Sequence, residues 1–224
     1  DDKKGYLVVP YNKYAYVKNS NGQHVSLYGD RLKKVSKWDK EDPTLHESDV
    51  PPMTRFLVDQ YGDSDEPSTG HRTMFFDIEV EVTDGFPDVM KATNVITSIA
   101  AYDSTTEKYF TYCFDPEKRL QNYTKDDQIV EFYETEYEML NQFFQKYLEI
   151  RPTIISGWNS DFFDIPYLYN RAVRVLGPEV ANLLSPISEI NYSEFTKKHR
   201  IAGVSSMDYL LLYKQFTFTQ QSSY

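Results

Sequence analysis

The chain has 224 residues, enough to bury a core without disulfides, and at about 150 residues per domain this length predicts one or two domains. Its single cysteine, Cys113, excludes an intrachain disulfide and a Cys-rich zinc site, which is typical of an intracellular protein. Neither a run of about 18 apolar residues nor a signal peptide occurs, so we also expect the protein to be soluble. The net charge of −10 argues against a protein that holds nucleic acid through a broad basic face.

Residues 1–70 are expected to form a small α+β N-terminal domain. The Tyr- and Val-rich segment 14–29 predicts two short strands joined by an Asn-Gly turn, which is a strong hairpin signal. The charged segment 30–42 then predicts a helix with one apolar face. A polar stretch at 62–71 contains Gly, Pro and Ser and has the composition of a linker, so we place the domain boundary near residue 70.

The second part of the chain, 71–224, alternates between the patterns of strands and helices. Strands are predicted at 73–81, 94–102, 108–114 and 153–157, and helices at 135–150 and 165–176. The first helix opens with a capping box formed by Thr135 and Glu138. Three strands, a helix, a strand and a helix predict an α/β domain with a mixed sheet.

Two acidic residues, Asp77 and Glu79, interrupt the first of these strands, which is otherwise apolar. Since side chains alternate along a strand, both carboxylates lie on one face, about 6.5 to 7 Å apart. This spacing lets them flank a divalent cation, and two acids on one face of a buried strand are costly unless a positive charge joins them. The alternative is a strand edge whose acids lie in water, although Phe75 and Phe76 favour a central strand.

A second polar segment, GWNSDFFDIPYLYNR at 157–171, begins where a predicted strand ends. Asn159 follows the strand, and Asp164 precedes a helix that has a proline near its start. An Asp in that place is typical of a helix N-cap, which is the interpretation we favour for Asp164 taken alone. The alternative is a third carboxylate at the end of a neighbouring strand, as a two-metal phosphodiester site requires. Asp161 is expected to be a solvated loop residue.

Acidic residues are concentrated in the middle of the chain. Residues 71–164 hold 18 Asp and Glu against 8 Lys and Arg, whereas both flanking segments are close to neutral. Such a concentration is either a solvated acidic face or a place that gathers metal cations. Aromatic residues make up 16% of the chain, enough to supply stacking platforms or a Tyr-rich core.

Two groups of residues stand out in a fixed order. The first is Phe76-Asp77-Ile78-Glu79-Val80, followed by Asp84-Gly85-Phe86-Pro87. The second is Gly157-Trp158-Asn159, followed by Asp164-Ile165-Pro166-Tyr167 and Tyr169-Asn170-Arg171. With Glu79 and Asn159 lying 80 positions apart, these groups resemble the first two exonuclease motifs of family B DNA polymerases, especially those of T-even-type phages. The similarity covers residues 73–224 well, including the closing segment from Met207, and residues 5–70 more loosely.

The resemblance implies a ribonuclease-H-like 3′→5′ proofreading exonuclease that uses two divalent ions, Mg²⁺ or Mn²⁺. Asp77, Glu79 and Asp164 would be its catalytic residues and metal ligands. Asn159 would hold a carboxylate or the primer terminus, and Phe86 would stack on a base of the frayed strand. One ion would deprotonate a water and the other would stabilise the leaving 3′ oxygen. Because bound metals reverse the local charge and a single strand needs a stacking aromatic more than a basic face, the acidic middle of the chain is compatible with a DNA substrate.

One departure from the family pattern concerns the fourth carboxylate, which in the family lies in a downstream Tyr-x3-Asp motif. After residue 194 the only acidic residue is Asp208, and the residue four positions before it is Val204. Asp208 matches an earlier family position, so we do not assign it as a ligand. The chain opens without methionine, stops at Tyr224 and lacks a palm-type polymerase motif, so we expect a fragment whose incomplete nuclease site is inactive or weakly active alone.

Residues 191–200, NYSEFTKKHR, fall where related phage polymerases carry a β-hairpin that helps to part primer from template. Lys197, Lys198 and Arg200 are candidates to contact DNA phosphates in such a hairpin. The alternative, which we favour slightly, is a solvated loop with a few cations.

The leading hypothesis is therefore an N-terminal domain, 1–70, and an incomplete exonuclease domain, 71–224, of a phage-type DNA-directed DNA polymerase. The parent would replicate and proofread DNA in the cytoplasm of an infected bacterium, with the single-stranded primer 3′ end as partner and no membrane contact. A second hypothesis is a non-catalytic piece that binds nucleic acid or the rest of a split polymerase chain. A stand-alone exonuclease fits less well, because the fourth acid is missing. The resemblance also permits RNA binding by residues 1–70.

Overall fold

The computed structural model of the chain describes residues 13–83 and 85–217. Asp84 of the first motif and residues 218–224 of the closing segment lie outside these described residues. Among the helices that the structure describes, none is long and apolar enough to cross a membrane.

The smaller of two compact units spans Leu7–Ser68. Its described part contains four short strands and a helix, which are β1 (Ala15–Lys18), β2 (His24–Val25), β3 (Arg31–Val35), β4 (Leu45–His46) and α1 (Pro52–Tyr61). The strands form an antiparallel sheet in the order β2-β3-β1-β4. Tyr14 ties this sheet to the helix, because its hydroxyl donates to Asp59 Oδ1 at 2.6 Å and its ring lies 4.2 Å from the guanidinium carbon of Arg55.

Two predictions for this unit are wrong. Segment 30–42 is not a helix, because β3 occupies its first half and pairs with β1 on one side and β2 on the other, burying Leu32. Segment 14–29 does contain two strands, but β3 lies between them and they do not pair with each other. The turn that joins paired strands is instead at Ser26 and Asp30, where the Ser26 N–H donates to the Asp30 carbonyl at 2.9 Å.

The larger unit includes Thr69–Tyr224. Its described elements are β5 (Thr73–Val80), β6 (Ile96–Asp103), β7 (Lys108–Phe114), β8 (Tyr123–Lys125), β9 (Gln128–Tyr133), α2 (Glu136–Ile150), β10 (Ile154–Gly157), α3 (Asp164–Val175), α4 (Pro178–Ala181), a short 3-10 helix (Asn182–Leu184), β11 (Ile190–Ser193), β12 (Lys198–Ile201), β13 (Ser205–Asp208) and α5 (Tyr209–Phe216). Every strand and helix predicted for this part of the chain is confirmed, with ends that differ by two residues or fewer.

Seven strands of this unit form a mixed sheet in the order β13-β10-β5-β6-β7-β9-β8, as the sequence predicted. Strand β10 runs parallel to both β13 and β5, and β9 runs parallel to β7, whereas the other pairs are antiparallel. The three neighbours β13, β10 and β5 therefore end at the same edge of the sheet. Strand β5 is central, as its two phenylalanines indicated.

The core lies between one face of this sheet and helices α2 and α3. Met74, Phe76 and Ile78 of β5 are buried there together with apolar residues of both helices. Helix α2 begins at the predicted capping box, in which the Thr135 hydroxyl accepts from the Glu138 N–H at 3.2 Å and donates to the Glu138 carboxylate at 2.8 Å. Alternation along β5 leaves its other residues on the opposite face of the sheet.

Strands β11 and β12 form an antiparallel hairpin, with Ile190 opposite Ile201 and Ser193 opposite Lys198. The hairpin implied by the resemblance is therefore confirmed, and the interpretation of residues 191–200 as a solvated loop is wrong. Its anchoring explains the difference, since Ile201 and His199 of β12 are buried.

Candidate active site

Asp77 and Glu79 lie on the face of β5 that points away from the helices. Both side chains are exposed, whereas Phe76 and Ile78 of the same strand point into the core. Strand geometry puts the two carboxylates about 7 Å apart. Partial burial raises the pKa of Asp77 above its usual value, so its charge is incompletely solvated. The strand is central, yet its two acids are presented together on an open face.

Asp164 brings a third carboxylate to the same strand. It is the first residue of α3 and only 2% exposed. Its Oδ1 accepts a hydrogen bond at 3.1 Å from the backbone N–H of Ile78, the residue between Asp77 and Glu79. The interpretation of Asp164 as an N-cap is wrong, because Phe163 is the N-cap of α3 and no side chain caps it. The carboxylate reaches across to β5 instead.

The charge of Asp164 is unfavourable in this environment. Burial raises its pKa to about 7, the Ile78 N–H opposes that rise, and repulsion from Asp77 and Asp208 adds to it. A carboxyl group with so high a pKa, close to further acids, is typical of functional sites. A divalent cation beside these carboxylates would relieve their repulsion.

The loop 158–163, between β10 and α3, is fastened by Asp208 at the end of β13. The Oδ1 atom of Asp208 accepts the N–H of Asn159 at 3.1 Å and that of Leu210 at 2.9 Å. Its Oδ2 atom accepts the N–H of Asp161 at 3.2 Å. The buried Asp208 is therefore an anchor for this loop and the N-cap of α5.

Asp161 is a second buried anchor of the same loop. Its Oδ2 atom lies 2.6 Å from Lys198 Nζ, and its Oδ1 atom accepts a hydrogen bond from the Ser206 hydroxyl. The expectation of a solvated loop acid is wrong, because residues of β12 and β13 contact and cover it. Asn159 begins the loop with a φ of 60°, a left-handed conformation that Asn adopts more readily than most residues.

An open groove of about 380 Å³ lies beside Glu79. It is lined by Ile78, Glu79, Val80, Val82, Gly85, Phe86, Pro87 and Phe163. Phe86 is 76% exposed, and its ring centroid lies 5.2 Å from that of Phe163, which in turn stacks on Tyr167 of α3 at 5.6 Å. The groove therefore presents an aromatic wall next to a carboxylate, an arrangement that suits a planar ring such as a nucleobase.

The three basic side chains predicted to contact phosphates differ in their exposure and in the ion pairs that they form within the protein. The side chain of Lys198 is 29% exposed, because it pairs with Asp161 and its Nζ lies 4.8 Å from the ring centre of Phe162. Lys197 is exposed and pairs with Glu194 at 2.7 Å. Arg200 is exposed on β12 and makes no ion pair with any residue that the structure describes.

The three carboxylates around Ile78 have the donor chemistry that Mg²⁺ and Mn²⁺ prefer. Asp77 and Asp164 are near enough for the charge of one to raise the pKa of the other. In the described ranges, no three Asp, Glu, His or Cys side chains are gathered closely enough to hold one ion. The three carboxylates thus have the right chemistry for a hard divalent cation. In their geometry, Asp77 and Asp164 are close to each other, but the three are not gathered around one point.

Sequence reasoning did not identify Phe163 as a neighbour of Phe86, or Tyr167 as the ring behind Phe163. No motif or spacing connects residues so far apart in the chain, and the only signal was the aromatic residue directly before Asp164. The anchoring role of Asp208 was also missed, because it depends on the parallel pairing of β13 with β10.

Comparison with known proteins gives a family model, described as DNA polymerase family B, exonuclease domain, that matches residues 57–224. The DNA-directed DNA polymerase of Escherichia phage RB69 is 31% identical over 180 residues, which are 68% of this chain and 20% of the relative. That of Enterobacteria phage T4 is 31% identical over 175 residues, 65% of this chain and 19% of the relative. DNA polymerase 1 of Sulfurisphaera ohwakuensis is 30% identical over 133 residues, 58% of this chain and 13% of the relative.

These matches confirm the resemblance to phage-type family B polymerases and the predicted exonuclease fold, a ribonuclease-H-like domain with a mixed sheet. The chain spans about a fifth of the length of the two phage relatives.

Proposed function

Because this chain belongs to the family B DNA polymerases, we propose that it binds the single-stranded 3′ end of a DNA strand and hydrolyses its last phosphodiester bond. The observation that carries this proposal is the placement of three carboxylates around one residue of β5. Asp77 and Glu79 flank Ile78 on the open face, and the Ile78 backbone N–H donates to Asp164 Oδ1. Phosphodiester hydrolysis needs such a set of rigidly held acids.

Asp77, Glu79 and Asp164 would hold divalent cations, Mg²⁺ or Mn²⁺, two in a complete site. Such ions supply an activated water and neutralise charge on the leaving 3′ oxygen. The chain's own contribution is to fix the ligands, since Asp77 and Glu79 lie on a central strand and Asp164 is hydrogen-bonded to that strand. The raised pKa of Asp164 also means that a bound cation has to compete with a proton near neutral pH.

The substrate would enter along the groove beside Glu79. Phe86 is exposed there and would stack on a base near the 3′ end. Asn159, at the start of the neighbouring loop, would contact a carboxylate or the strand terminus. Lys197, Lys198 and Arg200 of the hairpin would contact phosphates of the same strand.

We further propose that residues 1–70 and 71–224 are the N-terminal and exonuclease domains of a DNA-directed DNA polymerase that replicates and proofreads DNA. Its further partners would then be the rest of the polymerase chain and, at residues 1–70, RNA. Since two of the relatives are phage polymerases, it would act in the cytoplasm of an infected bacterium.

The test is incubation of the chain with a 5′-labelled single-stranded oligonucleotide and Mg²⁺ or Mn²⁺. We expect slow stepwise shortening from the 3′ end, in keeping with the weak activity expected of three of the family's four carboxylates, and Asp77→Ala and Asp164→Ala should abolish it. Glu81→Ala is the matched control, because Glu81 is exposed just beyond the same strand and should leave the rate unchanged. Shortening that survives Asp77→Ala would contradict the assignment of this site.

A second candidate is a module that binds the strand without cutting it. It is favoured by one observation, that no three ligands are gathered for one ion among the described residues. The same incubation distinguishes the two candidates, because this module would retain the oligonucleotide in a gel-shift measurement at every Mg²⁺ or Mn²⁺ concentration and never shorten it.

A further inference from the structure

Helix α3 holds the segment 88–94 through one of its faces. The Tyr167 hydroxyl donates to the Asn94 carbonyl at 2.9 Å and accepts the Asn94 N–H at 3.1 Å. The Asn170 side-chain amide donates to the Val89 carbonyl at 2.9 Å. Two side chains of the helix thus satisfy backbone groups at both ends of this segment.

Arg171 secures the middle of the same segment. Its Nη1 atom donates to the carbonyls of Ala92 at 3.2 Å and Thr93 at 2.7 Å. Its other nitrogens bind both oxygens of the Glu136 carboxylate, which also accepts the Ile96 N–H at 2.8 Å. The guanidinium is therefore locked between α2 and the segment, in the planar fork geometry that arginine alone provides.

The segment 88–94 follows directly after the aromatic wall of the groove. Phe86 lies two residues before it, against Phe163 at the N-cap of α3. Tyr167 joins the two features, because its ring stacks on Phe163 while its hydroxyl holds Asn94. Residues three, four, seven and eight positions apart share one side of a helix, so a single face of α3 carries all of these contacts.

The same helix carries Asp164, whose carboxylate is hydrogen-bonded to β5. One rigid element therefore fixes both a carboxylate of the site and the segment behind Phe86. Within the segment, Asp88 Oδ1 accepts from Met90 and Lys91 in a turn that holds its shape. Its far end is also tied to the chain just past β5, because the Asn94 side-chain amide donates to the Glu81 carbonyl at 2.8 Å. The end nearer to Phe86 is held by the bond from Asn170 of α3 to the Val89 carbonyl.

We propose that Tyr167, Asn170 and Arg171 are positioning residues that set the place of the Phe86 ring relative to Asp77, Glu79 and Asp164. This inference rests on the proposed function, in which Phe86 stacks on a base near the 3′ end. Stacking on a base contributes only if the scissile phosphate then falls at the carboxylates, so a displaced ring weakens productive binding. Each of these three residues acts through the segment and not by touching the strand.

The test compares two Tyr→Phe variants on one helix in the full chain. Tyr167→Phe removes the hydroxyl that holds Asn94 and keeps the ring that stacks on Phe163. Tyr169→Phe removes a hydroxyl that donates instead to Asn182 Oδ1 at 3.1 Å, away from the segment. Each change deletes one oxygen atom from the same residue type two positions apart, so the pair is matched in chemistry.

The probe is a single-stranded oligonucleotide with 2-aminopurine as its 3′-terminal base, titrated in a metal chelator so that it is not cut. Stacking of this base quenches its fluorescence. We expect Phe86→Ala to abolish the quenching on binding. Tyr167→Phe and Asn170→Leu, which lose two hydrogen bonds and one to the segment, should each weaken the affinity of the quenched complex about threefold to tenfold. Tyr169→Phe should match the unmodified chain.

Amide hydrogen exchange of residues 88–94 supplies the second measurement, and it should accelerate in Tyr167→Phe but not in Tyr169→Phe. The positioning inference is wrong if Tyr167→Phe and Asn170→Leu bind and quench the 2-aminopurine probe as the unmodified chain does. If Phe86→Ala alone abolishes the quenching, the proposed stacking still stands. If Phe86→Ala quenches normally, the stacking role fails and the inference fails with it. A merely structural role would lower the melting temperature of Tyr167→Phe without changing the quenching.

Discussion

Two segments, one that leads into Asp164 and one that follows Phe86, are held in place by different chemistries. The loop 158–163 is anchored by two buried carboxylates, Asp161 and Asp208, which accept hydrogen bonds mainly from its backbone and from β13. The segment 88–94 is anchored by side chains of α3 that donate to its backbone carbonyls. One segment is fixed by accepting groups and the other mainly by donating groups, since only the Tyr167 hydroxyl also accepts, from the Asn94 N–H.

This difference determines the electrostatics on the two sides of the site. Of the two anchors of loop 158–163, Asp161 is paired with Lys198, whereas Asp208 leaves negative charge near Asp164 and contributes to the rise of its pKa. The cation that anchors segment 88–94, Arg171, is neutralised by Glu136, so its side of the site offers aromatic rings instead of charge. A site that binds both a metal cation and a nucleobase needs a negatively charged side for the cation and an aromatic side for the base.

The largest expected effect lies on the segment 88–94. Arg171→Ala leaves the Glu136 carboxylate buried without its partner, which should lower the free energy of unfolding by about 3–5 kcal/mol. Lys91→Ala is the control in the same segment, because Lys91 and Asp88 form an exposed ion pair whose loss should change stability by no more than about 0.5 kcal/mol. Urea denaturation measures both variants, and similar small losses would show that the buried pair does not hold this segment.

The second effect concerns Asp164, between the two segments. Its folded-state pKa of about 7 exceeds the unfolded value of about 3.9, so the folded state holds the proton more tightly. The stabilisation from this group is complete below about pH 4 and is lost as pH rises through 7. In a chelator, Asp164→Asn should therefore be more stable than the unmodified chain by about 2–4 kcal/mol at pH 8 and nearly equal to it at pH 4.

Urea denaturation between these pH values checks that prediction. A stability difference that stays constant across the range would contradict the assigned ionisation. Glu81→Gln, which replaces an exposed carboxyl just past β5 by an amide, is the control for the chemical change itself.

Much of the larger unit was predictable because its elements carry strong local patterns. Alternation along β5 predicted that Asp77 and Glu79 share a face, and Thr135 with Glu138 predicted where α2 begins. The hydrogen bond from Ile78 to Asp164 was not predictable, since it joins residues 86 positions apart and competes with a local N-cap pattern that is equally good in the sequence.

A third effect tests the acceptor-anchored loop. Asp208→Asn replaces one of two accepting oxygens by a donor that faces backbone N–H groups, and should lower the free energy of unfolding by about 2 kcal/mol. Asp103→Asn is matched, because Asp103 is also buried and accepts from Thr105 and Thr106 in a turn. Only Asp208→Asn should accelerate amide exchange at Asn159 and Asp161, and equal exchange in both variants would exclude Asp208 as the anchor.

The small unit shows why local pattern failed elsewhere. Segment 30–42 has apolar residues at helical spacing, but its first half pairs with strands on both sides, and those hydrogen bonds lie outside any local window. The same limit applied to Lys197 and Lys198, which the sequence presents as equivalent cations. Only the fold shows that one faces solvent and the other contacts Asp161.

The smallest expected effect separates these two lysines. Lys198→Met keeps the stem beside Phe162 and removes the partner of Asp161, which should lower the free energy of unfolding by about 1 kcal/mol. Lys197→Met breaks only an exposed pair with Glu194 and should cost less than about 0.5 kcal/mol. For single-stranded DNA the order reverses: because the charge of Lys198 is already compensated by a buried carboxylate, Lys197→Met should weaken binding more and reduce the salt dependence by more. Titrations of DNA binding at several salt concentrations test this for both variants. An equal loss of affinity would mean that Lys198 breaks its ion pair with Asp161 and contacts a phosphate instead.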